Sequence, residues 1–418
     1  MSDPPGTVSV MSPTGILVTA WRIAIGRCWR RYAAVVPELS DPLTAPPSVR
    51  AAEFFAGIGL VRAALEPVGV EVVWANDMEL AKKVVYAANH DVAHFHLGDV
   101  RAVRGCDLPP NLQLATSSFP CTDLSLAGDR AGLAGEQSGM FYEFARVLEE
   151  LPPDARPEVV LLENVAGFAT SHGGRDLEQA LRELNGLGYS CDVFTVDARH
   201  FVAQSRVRLF IVGVRGDLPK GAHTGVPPLT DTRPGWVRRI YERHQDLRLH
   251  HLDLPRLPEG PTDLATTVQK MQKNDPRWWD PGRTARFVES LSAAQTARFT
   301  ALRDGPTLIW RTAYRRTRRG VAVWELRRDA IAGCLRTTGG GSSKQVVVEL
   351  GKGQVRVRWM TPLEYARLMG AGSYKVRAAT DNQALFGFGD AVVVDVVRWI
   401  GLHYLMPALR PERVLVQA

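Results

Sequence analysis

Cysteine is scarce: five in 418 residues, at positions 28, 106, 121, 191 and 334, with no CxxC pair. An odd, widely spaced set argues against a disulfide framework or a tetrahedral zinc site. It fits a reducing, cytoplasmic compartment. Long apolar runs are also missing. No uninterrupted stretch reaches the roughly 18 residues a membrane-crossing helix needs, so no membrane partner is expected. Metal-ligand groupings are lacking as well. His94 and His96 form an HxH pair with no acid at ligand spacing, so they read as surface histidines and no metal is expected. Excess charge is small: Lys+Arg 51 against Asp+Glu 44 leaves +7 and a pI near 9.3. Alone, that points only weakly to a polyanion.

What is present begins poorly patterned. Residues 1–48 carry Pro/Ser/Thr-rich ends around an apolar, helical patch from Gly15 to Val36. Arg22, Arg27, Arg30 and Arg31 lie inside that patch, whereas a signal peptide places its charge before the apolar run. This part is expected to be a poorly ordered extension outside the core.

From 49 to 216, apolar strands alternate with amphipathic helices. The pattern predicts a doubly wound, largely parallel α/β sheet with its crevice at the strand C-termini. The first unit is Ala51-Ala52-Glu53-Phe54-Phe55, a glycine turn at Ala56-Gly57-Ile58-Gly59, and a helix from Leu60. Glycine lets a ligand approach the backbone closely, and the helix start offers free N–H groups. The second strand ends at Asn76-Asp77, and Asp77 falls 20 residues after Gly57. That spacing suits a carboxylate on a ribose hydroxyl pair. Arg62 occupies the third glycine position of the dinucleotide fingerprint, so the corner predicts an adenosine-containing ligand without requiring phosphate. Asp99 offers a second carboxylate, for an adenine amino group or for a turn cap.

Other strand ends carry reactive groups. Leu112 to Ser118 leads into Pro120-Cys121-Thr122, and a glycine-rich run from Gly128 to Gly139 follows. Proline stiffens the loop that holds the thiol. The strand Pro157 to Leu162 delivers Glu163-Asn164. Gln204-Ser205-Arg206-Val207-Arg208 precedes another strand, and its alternating arginines face one side. A thiolate is a strong carbon nucleophile. A glutamic acid in a crevice keeps its proton and can donate to a ring nitrogen. Arginine stabilises developing charge. This set suits addition to C6 of a pyrimidine, which makes C5 nucleophilic.

The alternation stops at Asp217, and a smaller, irregular second domain is expected over 217–357. Between Arg298 and Arg336 it holds ten arginines with Trp310, Tyr314 and Trp324 interleaved. That texture fits a polyanion contact or a solvated face. The segment 358–418 contains a capped helix from Thr361 and an apolar helix, Val393 to Leu405, expected to pack back on the first domain.

In order, Phe55-Ala56-Gly57-Ile58-Gly59, Asn76-Asp77, Gly98-Asp99-Val100, Pro120-Cys121, Glu163-Asn164-Val165, Gln204 to Arg208, Arg358-Trp359-Met360-Thr361 and Gly389-Asp390-Ala391-Val392 resemble the motif series of the DNA (cytosine-5) methyltransferases. The resemblance covers about residues 50–405. It implies a Rossmann-like, S-adenosyl-L-methionine-dependent catalytic domain with a target-recognition domain at 217–357. Cys121, Glu163, Arg206 and Arg208 would be catalytic. Phe55, Ala56, Gly57, Gly59, Asp77, Met78, Asp99, Val100, Pro120, Met140, Asp390 and Val392 would line the cofactor pocket. Ser125, Gln204, Arg315, Arg316, Arg318, Arg319, Ser342, Ser343 and Lys344 would meet double-stranded DNA. The implied protein is a monomer of the restriction-modification type, with a cognate restriction endonuclease, acting at the nucleoid on an extruded cytosine. RNA cytosine methylation and a catalytically idle DNA-binding regulator are the alternatives.

Overall fold

The computed structural model describes residues 9–11, 17–19, 48–120, 133, 139–318, 320–337 and 344–410. The chain divides into residues 1–47 and 48–418. In the first unit the described residues are two antiparallel strands, Ser9–Met11 and Leu17–Thr19. The second strand falls inside the patch expected to be helical.

The second unit is built on a seven-stranded sheet. Its strands are β1 (Val49–Phe54), β2 (Val70–Asp77), β3 (Phe95–Leu97), β4 (Leu114–Ser117), β5 (Val159–Val165), β6 (Ser190–Asp197) and β7 (Val207–Val214). Their order is β3-β2-β1-β4-β5-β7-β6. The first five pair in parallel, and β7 runs antiparallel to both β5 and β6. Strand residues alternate between two cores, as the period of two requires. Val49, Ala51, Val159 and Leu161 enter one cluster with Ala64, Leu65, Val397 and Ile400. Ala52, Phe54, Val160 and Leu162 enter the other with Phe141, Phe144, Leu181 and Leu184. Burying each large side chain contributes about 1.5–3 kcal/mol. The helices on the first face are α1 (Leu60–Leu65) and α10 (Val394–Ile400), continued by a π-helical turn, Gly401–Leu405. Those on the second are α3 (Met140–Glu149) and α4 (Arg175–Gly186). The apolar C-terminal helix therefore does return to the first sheet.

The change of texture at Asp217 does not start a separate layer. Helix α5 (Gly235–Arg243) sends Val237, Ile240 and Tyr241 into the second core, while Leu264 and Val268 join the first. A distinct hydrophobic cluster starts near Trp279. It lies under four antiparallel strands, β8 (Ile309–Arg318), β9 (Val321–Leu326), β10 (Gln345–Gly351) and β11 (Gln354–Trp359), in the order β9-β8-β10-β11. Helices α6 (Pro281–Glu289) and α7 (Ala293–Arg303) cover one face, with Phe287, Leu291 and Phe299 against Ala313, Val346 and Val348. This part is more regular than expected. Its arginine-rich composition masked the strand alternation.

The opposite face meets the first core through Val347 and a buried ion pair. Arg358 and Glu364 are both fully buried, with Arg358 Nη2 2.5 Å from Glu364 Oε1. Glu364 also closes the expected capping box with Thr361 at the start of α8 (Pro362–Leu368), and its Oε1 accepts from Gln269 N–H. Arg358→Ala would leave that carboxylate buried without its cation. Denaturant unfolding should show a loss of about 3–5 kcal/mol.

Candidate active site

The glycine corner is set by backbone geometry. Phe55 (φ 57°), Gly57 (φ 57°) and Gly59 (φ 83°) all adopt left-handed conformations. Only at glycine is that free of strain. A Cβ on Gly59 would sit 2.7 Å from the His90 ring and 2.9 Å from Tyr86. At Gly57 the nearest described atoms beyond its chain neighbours lie 4.0 Å from such a Cβ, on Lys82 and Phe55. Asp77, buried at the end of β2, accepts from Gly57 N–H and from Glu79 N–H at 2.9 Å each. Its carboxylate therefore shapes the turn. Carboxylate oxygens hold about four lone-pair sites, so capacity remains for ribose hydroxyls. Met78 beside it is 64% exposed, a polarizable side chain on the rim.

Helix α2 (Leu80–Asn89) contributes a residue the sequence did not single out. Lys82 Nζ lies 2.7 Å from Asp390 and 4.0 Å from Asp77. Burial alone would lower its pKa, but Asp390, Asp77 and Glu79 together hold it well above the lysine range. Asp390 ends helix α9 (Asp381–Asp390), and Val392 is buried just beyond. Tyr374 Oη donates to Gly59 O at 2.9 Å, and His90 Nε2 lies 2.6 Å from it. Neither residue carried a sequence signal, because each partner is hundreds of positions away.

Asp99 takes the cap geometry. It accepts from Arg101 N–H and from the Arg101 guanidinium, which holds its carboxyl below the usual range. Val100 is buried behind it, Ala56 is buried in the turn, and Met140 is half-buried at the start of α3.

Cys121 and Ser125 lie outside the described residues, as does the glycine-rich run before Gly139 apart from Leu133. Their anchor is described. Phe119 is buried against Phe141 and Phe168, and Asn164 Nδ2 donates to Phe119 O at 3.1 Å. This bond ties the end of β5 to the residue two before the cysteine. Next to Asn164, Glu163 Oε1 lies 2.9 Å from Arg208 Nε. The antiparallel pairing of β5 with β7 makes them neighbours. Burial raises the Glu163 carboxyl above the usual range, and Arg208 and then Arg206 pull it back.

The alternating arginines do share a side, since both reach the Cys334 sulfur, Arg206 at 3.6 Å and Arg208 at 3.8 Å. Their roles differ. Arg206 is buried and donates to Leu335 O (2.8 Å), Ala391 O (2.6 Å) and Gly389 O (3.4 Å). It positions three chain segments. Burial would push the Cys334 thiol up, but Arg206, Arg208 and Arg336 override it and hold it low.

Gln204 corrects an expectation. It is fully buried, donates to Leu368 O and accepts from Leu335 N–H. A side chain spent on two backbone groups in the core has no path to DNA. Arg315 lies over Trp324, Arg316 pairs with Glu325 at 3.2 Å, and Lys344 donates to Asn382. Arg318 closes β8, although its side chain is not described. Arg319, Ser342 and Ser343 lie outside the described residues. No group of three metal-ligating side chains occurs among the described residues.

Arg206→Ala should cost about 3 kcal/mol in denaturant unfolding, because three buried carbonyls lose a charged donor. Gln204→Ala should lower stability in denaturant unfolding by about 1–3 kcal/mol, because Leu335 N–H and Leu368 O lose their buried partner.

The profile of the C-5 cytosine-specific DNA methylases matches residues 49–404. Type II methyltransferase M.HhaI from Haemophilus parahaemolyticus is 27% identical over 357 residues, 85% of this chain and 94% of that protein. Type II methyltransferase M.PspPI from Psychrobacter sp. (strain TA137) is 33% identical over 192 residues, 46% of this chain and 43% of that protein. Among solved structures, the Entamoeba histolytica methyltransferase EhMeth aligns with a TM-score of 0.56 at 14% identity, covering 87% of this chain and 98% of that one. The S. pombe Dnmt2 methyltransferase aligns with a TM-score of 0.52 at 16% identity, covering 87% and 99%. The two structures share the fold. With a family match running from the first core strand into the π-helical turn after α10, the chain belongs to the C-5 cytosine-specific DNA methylases and is a DNA cytosine-5 methyltransferase.

Proposed function

We propose that the protein methylates C5 of a cytosine extruded from a specific site in double-stranded DNA, through a covalent bond from Cys121 to C6. The observation that carries this reading is the half-buried Glu163–Arg208 pair, next in its strand to Asn164, whose amide holds Phe119 two residues before Cys121.

The residues divide the work. Glu163, with its raised pKa, holds a proton against ring N3 and draws electrons from C6. Arg208 fixes the Glu163 side chain, and its positive charge stabilises the carbonyl oxygen at C2. The Cys121 thiolate forms the Sγ–C6 bond, and the C5–C6 π pair moves to C5. After C5 is methylated, loss of the C5 proton restores the double bond and expels the thiolate. The cytosine must leave the stack, because both reactants need its faces.

S-adenosyl-L-methionine fits the glycine corner: the space above Gly57 admits a close ligand, Asp77 retains acceptor capacity, and Met78 offers an exposed face. When bound, it supplies an electrophilic methyl group. Asp390, tied to Lys82, and the buried Val392 would complete the pocket wall. A monomer in the cytoplasm, with a paired restriction endonuclease, goes with this reading. No helix among the described residues is long and apolar enough to cross a membrane.

Duplex DNA carrying 5-fluorocytosine, incubated with the methyl donor, should trap a denaturation-resistant adduct through Cys121, and Cys121→Ala should abolish it. Label transfer to tRNA in place of duplex DNA would overturn the DNA reading. The pH profile tests the acid. A raised carboxyl pKa keeps the proton at low pH and loses it as pH rises, so the rate of the chemical step should fall on the alkaline side. Glu163→Gln should lower kcat at least about 100-fold and remove that limb, read by single-turnover methylation across pH.

A further inference from the structure

A lysine outside the motif series stands at the glycine corner. Lys82 projects from the first turn of α2, and its Cδ lies 4.0 Å from where a Cβ on Gly57 would sit. Its Nζ lies 2.7 Å from Asp390 Oδ2, 3.1 Å from Glu79 Oε1 and 4.0 Å from Asp77 Oδ2. The Phe386 ring backs the ammonium at 5.8 Å from its centre.

These groups are unequally committed. Asp77 accepts from two backbone N–H groups. Asp390 is exposed and meets Lys82 through Oδ2, while its Oδ1 has no hydrogen-bond partner among the described residues. An ammonium has three donors. Among the described residues Lys82 makes one hydrogen bond, to Asp390, and Asp77 stands beyond bonding distance. Both members of the ion pair therefore keep bonding capacity.

The charge pattern selects the ligand. One ammonium among three carboxylates leaves excess negative charge, which repels a simple anion. A simple cation would use Asp390 and leave the lysine donors idle. An α-amino acid presents a carboxylate and an ammonium on one carbon, the complement of an ion pair whose members are 2.7 Å apart. S-adenosyl-L-methionine carries such an end together with a sulfonium, whose positive charge suits the excess. We propose that Lys82 is a cofactor-specificity residue, its free donors taking the α-carboxylate of S-adenosyl-L-methionine beside the α-ammonium on Asp390 Oδ1. The proposal rests on the cofactor reading of the glycine corner and deepens it. It does not depend on which nucleic acid is methylated.

The test is isothermal titration calorimetry of the full-length protein without nucleic acid. The two ligands are S-adenosyl-L-methionine and its decarboxylated analogue, which lacks only the α-carboxylate. The ratio of the two affinities should shift about tenfold against the complete cofactor in Lys82→Met, the size of one charge-assisted hydrogen bond. Comparing the ratio cancels any general damage to the corner, as a double-mutant cycle does. Should Lys82→Met fail to fold, the same shift is expected between Asp390→Asn and the double variant Lys82→Met/Asp390→Asn, which removes a carboxylate together with the cation. An unchanged ratio, whether both ligands weaken alike or neither does, overturns the proposal and marks Lys82 as a clamp between α2 and α9. That result leaves the cofactor reading intact, whereas binding of neither ligand by the unaltered protein overturns both.

Discussion

The site depends on one buried guanidinium. Arg206 sits at the entry to β7 and binds carbonyls of Leu335, Gly389 and Ala391. These groups lie 129, 183 and 185 positions further along the chain. Charged donors on buried carbonyls are among the stronger protein hydrogen bonds. Removing the cation would leave all three acceptors dry. The single side chain thus joins the catalytic sheet, the segment leading into β10, and the end of α9. The residue two further on in the same strand, Arg208, is left to serve Glu163.

That division follows from strand geometry. Positions 206 and 208 project on one side. The first meets backbone from the far end of the chain. The second meets the end of β5, because β7 inserts antiparallel between β5 and β6. An all-parallel sheet would put the strand's N-terminal arginines at the opposite end from Glu163. The reversal of one strand brings acid and base together. It also explains why Gln204 is structural. It enters the same junction and is consumed by Leu335 and Leu368.

Much of this was legible from residue order. The alternation of apolar strands and amphipathic helices over 49–214 placed every strand of the main sheet except the short β3, because both cores need buried faces of fixed period. The capping box at Thr361 was readable from spacing alone. The Glu163–Arg208 pair was not, since it depends on the direction of β7. Lys82, Tyr374 and His90 were invisible for a similar reason: their partners are distant, and a lone lysine or histidine carries no local signal. The second sheet was hidden by composition. Arginines and tryptophans on β8 and β9 read as a charged surface, and only pairing shows that Trp324 and Arg315 face the same side.

Contact also runs between the two corners of the site. Asp77 holds the glycine turn through Gly57 N–H and lies near Lys82, which binds Asp390. Asp390 stands between Gly389 and Ala391, whose carbonyls are held by Arg206. Gly389 is packed so closely that a Cβ there would lie 2.3 Å from Arg336 O. The end of α9 is therefore pinned from both sides, by Lys82 of α2 and by Arg206 at the entry to β7. Spatial continuity of this kind is not proof of coupling. It does fix a common reference frame: the glycine turn and the acid–arginine pair are registered against one helix end, so in the proposed reaction the methyl donor and the base would share a rigid support.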